Sequence, residues 1–192
     1  MQTSQADSVT VWDLHTRVFH WSLVALFATV WFSADSLQTV HQWTGYGIST
    51  LLVFRLFWGL FGGEYARFRT FIFSPATTVM YLKNLSRGKA LRYLGHNPAG
   101  AAMIFALLID LVAIVLSGMS LAATDGTGPF ATTFIASLDG NLLKDVHEVF
   151  ANLMLLLIFG HVSGVILASR LHKENLIKAM LTGRKAKQLE EH

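Results

Sequence analysis

Cysteine is absent from this 192-residue chain. That excludes disulfides, thiolate-held iron–sulfur clusters and the C-x-x-C-H attachment of a c-type haem, so any haem here is held non-covalently. Charge is scarce as well. Asp, Glu, Lys and Arg make up 14% of the residues, against about 25% in soluble domains. With 53% hydrophobic residues and a mean hydropathy of +0.46, the chain is solvated largely by something other than water. The formal charge of +3 is no nucleic-acid footprint, because the basic residues sit beside the apolar stretches rather than in a patch of their own. Met1 to Arg17 lacks the basic start of a cleavable signal. No internal repeat is visible.

What the chain has is long apolar runs. Four stretches, about 18–34, 40–61, 99–123 and 146–170, have the length and composition of membrane-spanning helices. The expectation is an all-α integral membrane protein, one domain over 1–192, built as a four-helix bundle. The polar-enriched segment 64–97 contains a helix start at Ser74-Pro75, followed by Val79, Leu82 and Leu85 at helical spacing, which predicts a short surface helix. Asn97 and Pro98 read as the cap and first turn of the third span. Trp12 reads as an interface aromatic. The tail 173–192 begins amphipathic through Leu176, Ile177, Met180 and Leu181, then turns charged.

Basic residues orient the bundle. The 64–97 loop holds Arg67, Arg69, Lys83, Arg87, Lys89 and Arg92, and the tail holds Arg170, Lys173, Lys178, Arg184, Lys185 and Lys187. The other two loops are nearly free of them. Both termini are therefore expected in the cytoplasm.

Four histidines interrupt the spans, and depth sorts them. His147 and His161 lie fourteen residues apart on the fourth span, ~21 Å along its axis and nearly on one face. His41 opens the second span at the level of His147. His20, about thirteen residues from the outer end of the first span, matches His161. Two pairs follow, His41/His147 near the outer face and His20/His161 near the cytoplasm. Each level offers two imidazoles and no nearby carboxylate pair. Bare first-row metals usually take three or four protein ligands, whereas a six-coordinate haem iron needs only two axial ones. Two bis-histidine b haems fit that supply. His15, His96, His172 and His192 lie in loops or at helix ends and read as solvated or headgroup residues. Gly45, Gly160 and Gly164 lie beside the paired histidines and suit either a porphyrin face or a helix–helix contact. Arg55, fourteen residues into the second span, suits either a haem propionate or a snorkelling role, with Asp110 of the third span as another partner.

The segments VWDLHTRVFHW (11–21), HQWTGYG (41–47), FRLFWGLFG (54–62), YLGHNPAG (93–100), LKDVHEVFANLML (143–155) and GHVSGVILASRLHKENLIKAMLTGRK (160–185) together resemble the bacterial cytochrome b561 family, which also includes membrane subunits of nickel hydrogenases. The resemblance implies two non-covalent b haems with ligands at His20, His41, His147 and His161. It implies residence in the bacterial cytoplasmic membrane and one-electron transfer between the quinone pool and a redox partner at the periplasmic face, such as a c-type cytochrome or a dehydrogenase subunit. Two further roles are compatible with it: a self-sufficient quinone-reducing enzyme of the superoxide oxidase type, and a haem-bearing membrane anchor of a hydrogenase or dehydrogenase. A His-lined metal or proton transporter is the competing reading from a different class.

Overall fold

A computed structural model describes residues 8–187. They form six α-helices and one two-stranded antiparallel ribbon. In chain order these are β1 (Ser8–Thr10), α1 (Leu14–Ser33), α2 (Gln38–Phe61), α3 (Pro75–Ser86), α4 (Pro98–Thr124), α5 (Gly140–Leu171), α6 (Leu176–Thr182) and β2 (Arg184–Ala186).

Short polar side chains start most of these helices. Asp13 Oδ1 accepts the Thr16 amide at 2.7 Å ahead of α1. The Ser74 hydroxyl accepts the Thr77 amide at 3.1 Å ahead of Pro75 and α3. Asn97 Oδ1 accepts the Gly100 amide at 2.8 Å ahead of Pro98 and α4. Asp139 Oδ1 accepts the Asn141 amide at 2.8 Å, which begins α5 six residues before the expected span. Each bond satisfies an amide that the first helical turn leaves open. Asn175 caps α6, and Gly183, with φ 82°, ends it in the left-handed conformation that glycine adopts without strain.

Three helices, α2, α4 and α5, are long and apolar enough to cross a membrane. α1, at 20 residues, is not among them. Its sequence carries His15, Thr16, Arg17 and His20 in the first two turns, which lowers its hydropathy. The spanning helices turn large apolar side chains outward: Val53, Phe57 and Phe61 on α2, Ile109 on α4, and Val149, Leu156 and Phe159 on α5 are each at least 60% exposed. Only 6% of the α5 stretch is buried. In water such a surface would be a severe liability, whereas in lipid it is the solvated face.

The described residues divide into two compact units. One comprises Ser22–Phe54 and Met103–His161. The other comprises the residues before Ser22, Arg55–Ala102 and the residues after His161. In the second unit, Val11, Trp12 and Ala179 form a small core with Val9, Tyr65 and Met180 packed on it. Trp12 is thus a buried residue, 9% exposed, rather than the expected interface aromatic. The ribbon beside it pairs Ser8 with Ala186, Val9 with Lys185 and Thr10 with Arg184. Three-residue strands built from SVT and RKA carry no alternating apolar signal, so the sequence pattern does not announce them.

Candidate functional site

His41 and His147 meet in the first unit. Their rings stand 6.2 Å apart between centroids with planes at 75°. Helix starts fix where they sit: His41 is in the first turn of α2, and His147 is two turns into α5. His41 Nδ1 lies 2.9 Å from the Val30 carbonyl of α1. His147 Nδ1 lies 3.1 Å from the Ile114 carbonyl of α4. A carbonyl has no proton to give, so each Nδ1 carries a hydrogen, and in the neutral imidazole Nε2 is then the nitrogen with the lone pair. Both rings are therefore held by their backs, with the ligating nitrogen left available.

Two α4 residues complete this grip. Ser117 Oγ donates to the Ile114 carbonyl at 3.1 Å and lies 3.1 Å from His147 Nδ1, where it accepts. Gly118 is set against the imidazole itself. A Cβ there would fall 3.0 Å from His147 Cε1 and 3.3 Å from Nδ1. Neither residue stood out in the sequence. A serine and a glycine in an apolar helix read as ordinary small residues until the helix they face is known.

The glycines that did stand out separate into two kinds. A Cβ at Gly45 or Gly164 would meet nothing within 4 Å, whereas one at Gly160 would touch the Met103 methyl at 3.2 Å. Open space beside Gly45 suits a flat ligand, and Gly160 belongs to a helix contact. His20 lies half-buried on α1, edge-on to Trp21 at 5.1 Å, and His161 lies half-buried on α5. They fall in different units.

Arg55 is 4% exposed. Its Nη1 donates to the Ala66 carbonyl at 3.0 Å, and its Cζ lies 4.8 Å over the Phe68 ring. Gly59, one turn further along α2, is required by that ring, since a Cβ there would fall 2.1 Å from a Phe68 carbon. Arg55 thus ties α2 to the polar segment that follows it. Asp110 is 4% exposed, and neither of its oxygens has a hydrogen-bond partner among the described residues. It lies seven residues from both Met103 and Ser117, on the α4 stripe that faces α5.

Two of the remaining histidines, His96 and His172, are less solvated than their loop positions imply. His96 packs between Trp12 and Phe71, at 4.6 and 4.4 Å between ring centroids. His172 is half-buried just past α5, and burial pushes its pKa below the usual imidazole value, partly opposed by Glu174. His15 is exposed and lies against Trp58 at 4.5 Å. His192 lies outside the described residues.

A family model described as prokaryotic cytochrome b561 matches residues 11–183. The chain belongs to that family. No curated protein and no solved structure matches it. Membership in the cytochrome b561 family, with the outward apolar faces of α2, α4 and α5, makes this a membrane protein whose work is electron transfer with b-type haem.

Proposed function

We propose that the chain conducts single electrons across the bacterial cytoplasmic membrane between the quinone pool and a redox partner at the periplasmic face. It would do so through two b haems, ligated by His41 with His147 and by His20 with His161. The observation that carries this reading is the His41/His147 pair. Metal–imidazole bonds of about 2.0 Å, with about 1.1 Å from each nitrogen to its ring centre, put two axial rings about 6 Å apart. The two rings stand at 6.2 Å, each with Nδ1 on a carbonyl and Nε2 uncommitted. Among the described residues no three His, Asp or Glu side chains gather as a metal-ion cluster, which favours a macrocycle that brings its own four nitrogens over a bare ion.

A bound b haem supplies one-electron redox chemistry at its iron. The protein's part is to hold the axial histidines in one tautomer, tune their basicity through Ser117 and the two carbonyls, and exclude water with the apolar helices. Each iron would be held by two of these histidines, a ligand set that suits electron transfer rather than oxygen binding. α1 would serve as the fourth span despite its polar start, since Val24 and Phe32 on it are exposed like the lipid-facing residues of its neighbours. Arg55 would add a contact to the inner haem's propionate. Its guanidinium has five N–H donors, and the Ala66 carbonyl takes one.

Single-histidine variants test the pairing. His41→Ala and His147→Ala are expected to abolish the same spectral component in the reduced-minus-oxidised difference, and His20→Ala and His161→Ala the other. Crossed losses would overturn the assignment. Quinol added to the purified wild type should reduce both components, and failure to reduce either would sever the link to quinone while leaving the ligands untouched.

A further inference from the structure

Directly after α5 the chain folds back through α6 and β2, and Arg92 reaches it from the segment before α4. An open cleft of about 590 Å³ lies there, wholly within one compact unit. Among the described residues six cations line it, Arg92, Lys173, Lys178, Arg184, Lys185 and Lys187, against a single carboxylate, Glu174. Glu174 is already saturated: Oε1 pairs with Arg92 Nη2 at 2.8 Å and Oε2 with Lys185 Nζ at 3.4 Å. Arg92 also donates to the Ala186 carbonyl at 2.7 Å, and Lys185 to the Tyr93 carbonyl at 3.3 Å. With the Lys185 side chain only 4% exposed, these three residues make a fixed, buried floor.

The other four cations have no ion-pair partner among the described residues. Lys173 takes a φ of 50°, a left-handed conformation uncommon for a side-chain-bearing residue, at the turn that brings it to the cleft. His172 also lines the cleft, and its Nε2 is buried without a hydrogen-bond partner among the described residues. Among the described residues, six positive groups against one negative leave an excess of five in a space the size of a small-ligand pocket. Lys173, Lys178, Arg184 and Lys187 are exposed, so water and salt screen much of their mutual repulsion, and an anion seated among them would relieve what remains. Lys and Arg donors on several walls match the oxygens of a tetrahedral phosphate. Since the cleft begins one residue beyond Leu171, a span ending there sets it at headgroup depth.

We propose that this cleft binds a phosphate group, carried by an anionic phospholipid headgroup or by a free phosphate. The floor of Arg92, Glu174 and Lys185 sets its shape, and Lys178, Arg184 and Lys187 supply the donors. The site is separate from the histidine pairs and stands whether or not their assignment does.

The test uses the full-length, haem-loaded protein in uncharged detergent with phosphatidylcholine. Phosphatidylglycerol is titrated in one arm, and inorganic phosphate at constant ionic strength in the other. Thermal midpoint and native mass spectrometry of retained lipid are the readouts. A rise in midpoint with phosphatidylglycerol alone, with retained lipid, assigns the lipid headgroup. An equal rise with inorganic phosphate assigns the free anion. The triple variant Lys178→Gln, Arg184→Gln, Lys187→Gln should weaken the response roughly a hundredfold with an unchanged haem spectrum. A control of equal charge change, Lys83→Gln, Arg87→Gln, Lys89→Gln, should keep it. No response in the wild type, or equal loss in both variants, would overturn the proposal.

Discussion

The two compact units use polar side chains in opposite ways. In the unit of Ser22–Phe54 and Met103–His161, the polar groups at the site are imidazoles and a hydroxyl turned onto backbone carbonyls. His41 meets Val30, His147 meets Ile114, and Ser117 bridges the second contact. In the other unit charges meet charges, with Glu174 holding Arg92 and Lys185 while four more cations surround them. The difference teaches what each arrangement leaves over. Neutral bonding to Nδ1 leaves a lone pair on Nε2, which suits a metal. A saturated carboxylate leaves excess positive charge, which suits an anion.

The largest expected effect comes from removing a ring of the His41/His147 pair. His147→Ala should lose one haem component entirely, because it removes one of the two ligands proposed for that haem. Next is Glu174→Gln, which strands two buried cations and should cost about 3 kcal/mol of stability, read by thermal or denaturant unfolding. If the histidine pair and the ionic cluster are independent, Glu174→Gln leaves the difference spectrum of the folded protein unchanged. Mixed effects would erase the contrast between the units.

Smaller changes sharpen it. Ser117→Ala removes an acceptor from His147 Nδ1–H and with it some basicity at the ligating nitrogen. The midpoint potential of that haem should rise by about 20–60 mV, the equivalent of one hydrogen bond for a one-electron couple, as read by redox titration. Gly118→Ala, pressing a methyl to 3.0 Å from the same ring, should broaden or shift the same component alone. The smallest effect is on pH. Burial holds His172 below its ordinary 6.5, against Glu174, with Arg92 and Lys185 adding to the depression. The folded state therefore binds fewer protons than the unfolded one just below that value. This part of the stability is full above about pH 6.5 and is lost as pH falls through the folded pKa. The decline in thermal midpoint on acidification should be shallower in His172→Gln.

Much of this was legible from the chain alone, for reasons that differ by element. Long apolar runs announce α2, α4 and α5, and Ser74-Pro75 and Asn97-Pro98 announce the starts of α3 and α4, because caps and hydropathy are local properties. The meeting of His41 and His147 was legible from depth, since rise per residue converts sequence distance to height. Ser117 and Gly118 were not, because their roles exist only once α4 lies against His147. The β1–β2 ribbon and the burial of Trp12 and Lys185 were hidden for a related reason. They depend on a charged tail returning to the start of the chain, and the sequence carries no periodic signal for that contact.

Haem content of the purified protein by pyridine haemochrome, beside His147→Ala, is the most direct test of the His41/His147 centre. The account predicts two b haems per chain falling to one. A colourless wild type, or an unchanged content in the variant, would contradict it.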